Sequence, residues 1–150
     1  IWERWDGIKP DSTFQDVGMN SFNHYAYGAI GDWMYRVVAG IELGQPGYKH
    51  IRIQPQLPAT ERLTHAKASL NSPYGKIVSG WEQKAGQVKV TVTIPPNTTA
   101  TIRLPKSEAA TVKENGQPLT AAFKSVQTDK DATVIEAGAG TYVFEYPLKK

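Results

Sequence analysis

Glu3 stands between two indoles, Trp2 and Trp5, with Arg4 beside it, so a carboxylate, a guanidinium and two large flat rings share one short stretch. A carboxylate can take or give a proton at a reacting bond. The flanking indoles would give it an apolar wall and faces on which the C–H side of a sugar stacks. The same residues also read as an exposed ion pair between Glu3 and Arg4, which is common at surfaces and weak. Residue types alone leave both readings open.

Asn20, Ser21, Asn23 and His24 form a second polar cluster, at the head of an apolar stretch. Side chains there can cap backbone N–H groups, and such a rim suits a sugar hydroxyl or a developing negative charge. The alternative is an N-cap at Asn20 or Ser21 and a His24 satisfied by hydrogen bonds. Asp6, Asp11 and Asp16 lie in a Gly- and Pro-punctuated loop, but their spacing lacks the glycine and terminal glutamate of a calcium loop. They are expected to form loop turns, and no metal or cofactor is expected. Phe14 either packs that loop down or lines a pocket, while His50 and His65 read as ordinary strand or turn residues.

Composition limits what can hold these groups in place. The 150 residues, 40% hydrophobic and 21% charged, suffice for a globular domain with a sizeable core. The absence of cysteine excludes a disulfide framework and thiolate metal sites. The net charge of +3 arises from 17 basic and 14 acidic residues spread along the chain, without the clustered basic face that nucleic-acid binding needs. Apolar runs such as Met34 to Ile41, interrupted by Arg36, fall short of the roughly 20 residues of a membrane span. Neither nucleic acid nor membrane is therefore an expected partner, and the compartment stays open. The chain starts at Ile1 without Met, leader or lead-in element, which suggests a piece of a larger protein.

Ala26, Ile30, Trp33, Met34, Val37, Val38 and Ile41 recur at steps of three and four, predicting one long helix over about Ser21–Ala39 with Gly40 as its C-cap. Past Gly44-Gln45-Pro46-Gly47 the period changes to two. Ile51–Ile53, Lys76–Val78, Val88–Ile94, Thr99–Leu104, Ala132–Ile135 and Tyr142–Tyr146 are β-branched or aromatic runs, separated by turn residues such as Ala85-Gly86 and Asn115-Gly116. Seven to nine strands at this spacing read as an antiparallel β-sandwich. The expected fold is thus mainly β, a sandwich over residues 45–150 preceded by a helical segment over residues 1–44.

The stretch Met19-Asn20-Ser21-Phe22-Asn23-His24-Tyr25-Ala26-Tyr27-Gly28-Ala29-Ile30-Gly31-Asp32-Trp33-Met34-Tyr35, with Trp2-Glu3-Arg4-Trp5 before it and Pro46-Gly47-Tyr48 after it, closely resembles the C-terminal part of bacterial α-L-rhamnosidases of glycoside hydrolase family 78. Ser72-Pro73-Tyr74-Gly75-Lys76-Ile77 and Ile94-Pro95-Pro96-Asn97-Thr98-Thr99-Ala100 resemble that family's terminal β-sandwich.

The resemblance implies hydrolysis of terminal α-L-rhamnosyl groups with inversion, in an (α/α)6 barrel of which residues 1–44 would be the end. Rhamnose-containing glycosides or polysaccharides would be the partners. Glu3 matches the position of the family's general base, His24 matches a histidine that contacts the bound sugar, and Trp2 and Trp5 are taken as substrate-binding neighbours. The general acid belongs to an Arg-Asp-Glu type motif that is absent here, so the chain alone should be inactive. A rival reading makes the sandwich an accessory carbohydrate-binding or structural module, with Trp81, Tyr48 and Tyr74 as a possible platform. The aromatic helix, if uncovered, would favour self-association.

Overall fold

Alternation of β-branched and polar residues does most to shape this chain. In Gln87–Ile94 the side chains of Val88, Val90, Val92 and Ile94 are buried, with the intervening residues more open. In Thr99–Pro105 the buried set is Ala100, Ile102 and Leu104. One face of each strand is thereby committed to a core, which fixes its register. The computed structural model describes residues 1–19, 21–60, 62–119, 123 and 125–149.

Eleven strands occur among the described residues: β1 (Ile41–Leu43), β2 (His50–Ile53), β3 (His65–Ser72), β4 (Gly75–Lys84), β5 (Gln87–Ile94), β6 (Thr99–Pro105), β7 (Lys113–Glu114), β8 (Gln117–Pro118), β9 (Val126–Asp129), β10 (Ala132–Ala137) and β11 (Gly140–Pro147). They form a five-stranded sheet ordered β1-β2-β6-β10-β9 and a six-stranded sheet ordered β3-β4-β5-β11-β7-β8. Ile51, Ile53, Ile102 and Ile135 from the first sheet belong to one buried cluster with Ile77, Trp81, Val90 and Phe144 from the second. The mainly β architecture follows the sequence pattern.

Two details depart from it. The strands pair antiparallel except β2 and β6, which run parallel, with His50 opposite Thr99 and Ile53 opposite Ile102. Between them the chain builds β3, β4 and β5 in the other sheet and then returns, so β6 enters alongside β2 in the same direction. Period-two alternation cannot signal strand direction. The strands number more than nine because β1, β3 and the short β7, β8 and β9 lack long β-branched runs.

Tight turns behave as their residues demand. Ala85 and Gly86 both have positive φ, 49° and 75°, in the two-residue loop joining Lys84 to its partner Gln87. Asn115 and Gly116, at 46° and 81°, do the same between Glu114 and Gln117. Both pairs have the positive φ angles of the type I′ hairpin turn.

The chain divides into two compact units, residues 1–33 and 34–150. In the first, α-helix among the described residues is confined to Ile30–Trp33 (α1), preceded by a single α-type turn from the Ala29 amide to the Tyr25 carbonyl and entered through tighter turns from the Ile30 amide to the Tyr27 carbonyl and the Gly31 amide to the Gly28 carbonyl. In the second, Met34–Val38 forms a π-type turn closed by the Ala39 amide on the Met34 carbonyl. The single long helix expected over Ser21–Ala39 is therefore a short one, and Ile41, assigned to its apolar face, lies in β1. Helical stability comes mainly from packing of a buried face. Here Ile30, Trp33, Met34 and Tyr35 are all exposed, and Gly28 and Gly31 weaken the segment further.

Gly40 does end the helical stretch, with φ of 78°. A Cβ there would come within 2.2 Å of the Pro55 nitrogen, so glycine is required for contact as well as for conformation.

Candidate active site

Within residues 1–33, backbone hydrogen bonds bring two distant stretches side by side. The Glu3 amide donates to the Ser21 carbonyl at 2.7 Å, and the His24 amide donates to the Ile1 carbonyl at 2.9 Å. The Ser21 amide in turn donates to Glu3 Oε2 at 3.1 Å, so the carboxylate is tied to the same rung that aligns its backbone. His24 Nε2 lies 3.9 Å from Glu3 Oε1, and the two side chains are 33% and 34% exposed. The structure thus places Glu3 beside His24.

The imidazole is oriented from its other side. The Ala26 amide approaches Nδ1 at 3.4 Å as a donor, which leaves Nε2, the nitrogen facing Glu3, to carry the proton of the neutral ring. The ring also stacks on Tyr25, with centroids 5.7 Å apart and planes within 9°. Of the capping residues suggested by the sequence, Ser21 Oγ accepts the Asn23 amide at 3.3 Å. Asn20 lies outside the described residues.

A cleft of about 660 Å³ opens here, lined by Ile1, Trp2, Glu3, Arg4, Trp5 and Tyr27. Trp5 is wholly exposed and Trp2 nearly half exposed. Trp2 is steadied by an edge contact with Phe22 at 5.0 Å, and Phe22 by Phe14 at 5.7 Å. Phe14 thus packs the loop and does not line the cleft. Tyr27 also lines the cleft, a residue the sequence marks only as part of the family-like stretch from Met19 to Tyr35.

Arg4 is not the partner of Glu3. Its guanidinium engages Asp6 with two parallel bonds of 3.1 Å, and Gln15 Nε2 donates to the same carboxylate. The Gln15 bond and the Arg4 charge hold the Asp6 carboxyl below the usual range. Asp11 is likewise lowered, by the hydroxyl and amide of Thr13, and Asp16 accepts the Gly18 amide at 2.8 Å. Each aspartate is occupied with its own turn. No group of three or more potential metal ligands occurs among the described residues.

What this arrangement can do is limited and specific. A carboxylate fixed by one oxygen, set beside an imidazole and opening on an aromatic cleft, can orient a water or a sugar hydroxyl and accept its proton. Trp81, considered for a sugar platform, is 1% exposed and donates its indole N–H to the Val38 carbonyl at 2.8 Å, which removes it from any surface. Tyr74 is partly exposed with Lys49 Nζ over its ring at 5.1 Å.

Comparison with known proteins identifies the lineage. The family model described as bacterial α-L-rhamnosidase C-terminal domain matches residues 40–119. The chain belongs to this family. The bacterial α-L-rhamnosidase 6 hairpin glycosidase domain matches residues 1–38, the part that holds Glu3 and His24. A curated α-L-rhamnosidase of Formosa agariphila is 43% identical over 147 residues, and one of Streptomyces avermitilis is 40% identical over 144. These alignments cover 97% and 96% of this chain but only 16% and 13% of those proteins. Among solved structures, the Streptomyces avermitilis α-L-rhamnosidase complexed with L-rhamnose superposes with a TM-score of 0.75 at 38% identity, over 97% of this chain and 13% of that one. The α-L-rhamnosidase from Dictyoglumus thermophilum gives 0.77 at 31% identity, over 98% and 16%. The chain thus corresponds to a small part of the α-L-rhamnosidases it matches.

Proposed function

We propose that this chain is the C-terminal part of an inverting α-L-rhamnosidase, supplying the general base Glu3 and the sugar contact His24 while the general acid comes from elsewhere in a longer protein. Residues ahead of β1 would complete the catalytic barrel, and the sandwich would follow it. The observation that carries the reading is the approach of Glu3 Oε1, which lines the aromatic cleft, to His24 Nε2 at 3.9 Å; His24 itself is not among the cleft's lining residues. In an inverting hydrolase the base activates a water on the face of the sugar opposite the leaving group. Glu3 would take that proton, the Ser21 amide would hold the carboxylate in aim, and Trp2 and Trp5 would flank the ring. His24 would meet a sugar hydroxyl.

The test is Glu3→Gln in the longer protein, assayed on an aryl α-L-rhamnoside. Turnover should fall by about 100 to 10,000-fold, the usual worth of general-base assistance, while L-rhamnose binding persists. Turnover at the unsubstituted level would rule Glu3 out. The 150-residue chain by itself should not hydrolyse the same substrate, since it would hold only one of the two carboxyl groups.

A further inference from the structure

A second cleft, of about 520 Å³, lies at one end of the sandwich, where the starts of β2 and β6 meet the turn between β10 and β11. His50, Thr99, Glu114, Phe123, Glu136 and Tyr142 line it. Its size is that of a small-ligand site, and its lining mixes aromatic faces with a few fixed polar groups.

The polar side is ordered by a directed chain of hydrogen bonds. The Thr101 hydroxyl donates to Glu136 Oε1 at 2.6 Å. Its one proton being spent, its oxygen must accept from His50 Nε2 at 2.9 Å. The neutral imidazole then accepts at Nδ1 from the Thr99 hydroxyl at 2.8 Å. Thr99 Oγ1 and the second oxygen of Glu136 retain acceptor capacity at the two ends of this array. Opposite, the Tyr142 hydroxyl is tied to the Gly138 carbonyl at 3.1 Å, and the Phe123 ring packs against the Tyr142 ring at 5.7 Å.

We propose that this cleft binds a neutral saccharide, with hydroxyls donating to Glu136 and Thr99 and the sugar's C–H face resting on Tyr142 and Phe123. Polyols present rows of hydroxyl donors, and the free acceptors here are spaced along a rigid sheet surface. Anionic sugars are disfavoured by the two carboxylates, Glu114 and Glu136, and among the described residues no Lys or Arg lines the cleft. A purely apolar guest would strand those acceptors without partners. The site lies outside the Glu3 cleft and does not depend on catalysis. Only the choice of L-rhamnose as first probe rests on the proposed activity.

The experiment is an amide chemical-shift titration of the 150-residue chain with L-rhamnose and a neutral rhamnosyl-glucose disaccharide, with glucuronate and tetramethylammonium as charged controls. Saturable millimolar shifts at Thr99, Glu136, Gly138 and Tyr142, weakened about tenfold or more in Glu136→Gln and Thr99→Val, would establish the site. Both substituted side chains sit at the surface, and the unshifted remainder of the spectrum reports that each variant folds. The proposal is overturned if neutral sugars give no saturable shift, if the shifts survive both substitutions, or if only tetramethylammonium binds. Shifts at Trp2, Trp5 and Tyr27 report the Glu3 cleft separately, so either reading can fail alone.

Discussion

Glu3 shows how little of a site's geometry depends on its immediate neighbours in the chain. Arg4, adjacent to it, turns away to Asp6, and the groups that aim the carboxylate come from Ser21 and His24. The Trp-Glu-Arg-Trp stretch and His24 were legible as residue types. Their meeting was not, because it is made by backbone bonds across a loop that has no periodicity to read. A different residue, Tyr146, yields a sharper physical expectation. Its ring is buried in the sandwich core, and its hydroxyl has no partner among the described residues. Burial pushes its ionisation well above the usual 10.0. The unfolded chain therefore loses this proton before the folded one does. The resulting contribution to stability is complete below pH 10 and declines as pH rises above it. Tyr146→Phe should leave stability at pH 7 within about 1 kcal/mol of the parent chain, since no hydrogen bond to protein is lost. It should also flatten the fall above pH 10, as read by urea unfolding at pH 7, 10 and 11. Equal slopes in the two proteins would mean that Tyr146 ionises normally. Tyr142, raised by partial burial and then by the Glu114 charge, acts on alkaline stability in the same direction.

Elements were legible where local pattern and burial agree. β5, β6 and β11 each bury alternate side chains, and their sequences say so. β3 also alternates, with Ala66, Ala68 and Leu70 turned partly inward, but its Ala, Ser and Asn content carries no strand preference. Its pairing along β4 from His65 opposite Glu82 to Ser72 opposite Gly75 supplies what propensity lacks. The helix errs in the opposite direction. Apolar residues at helical spacing promise a face, yet in α1 and the turns before it that face is not buried, so intrinsic preference decides. Gly31 has no positive φ, and a Cβ there would meet nothing within 4 Å. Gly31→Ala should therefore extend helix in this segment, stabilising it locally by about 1 kcal/mol and deepening the 222 nm circular dichroism signal. An unchanged spectrum would mean that something other than glycine limits the helix. At the far end of this stretch, Ser79 Oγ donates to the Ala39 carbonyl at 2.5 Å and Trp81 to Val38, fastening the lead into β1 onto the second sheet.

Across the whole molecule, buried apolar surface is distributed very unequally between the two units. Every fully buried hydrophobic side chain among the described residues belongs to 34–150, whereas among the residues of 1–33 whose burial is described only Gly7 is buried. Trp5, Tyr25 and Tyr27 are largely exposed, so the catalytic reading places its residues in the part with the least packing of its own. Exposed aromatic surface of this kind favours association. The 150-residue chain should accordingly show a sedimentation coefficient that rises with concentration. Local opening should follow burial too. Amides of β4, β5, β6 and β11 are held by ladders over a dry core and should open only with global unfolding. Those of Glu3, Gln15 and His24 bond across an exposed loop, to the carbonyls of Ser21, Gly7 and Ile1, and should exchange orders of magnitude faster. Hydrogen exchange read by amide resonances would distinguish the two classes directly. If Glu3 and His24 bind sugar as proposed, L-rhamnose should slow exchange at just those three amides and leave the strands unchanged. Protection in 1–33 already equal to that of the strands, without sugar, would mean that this unit is stabilised by more than its own bonds.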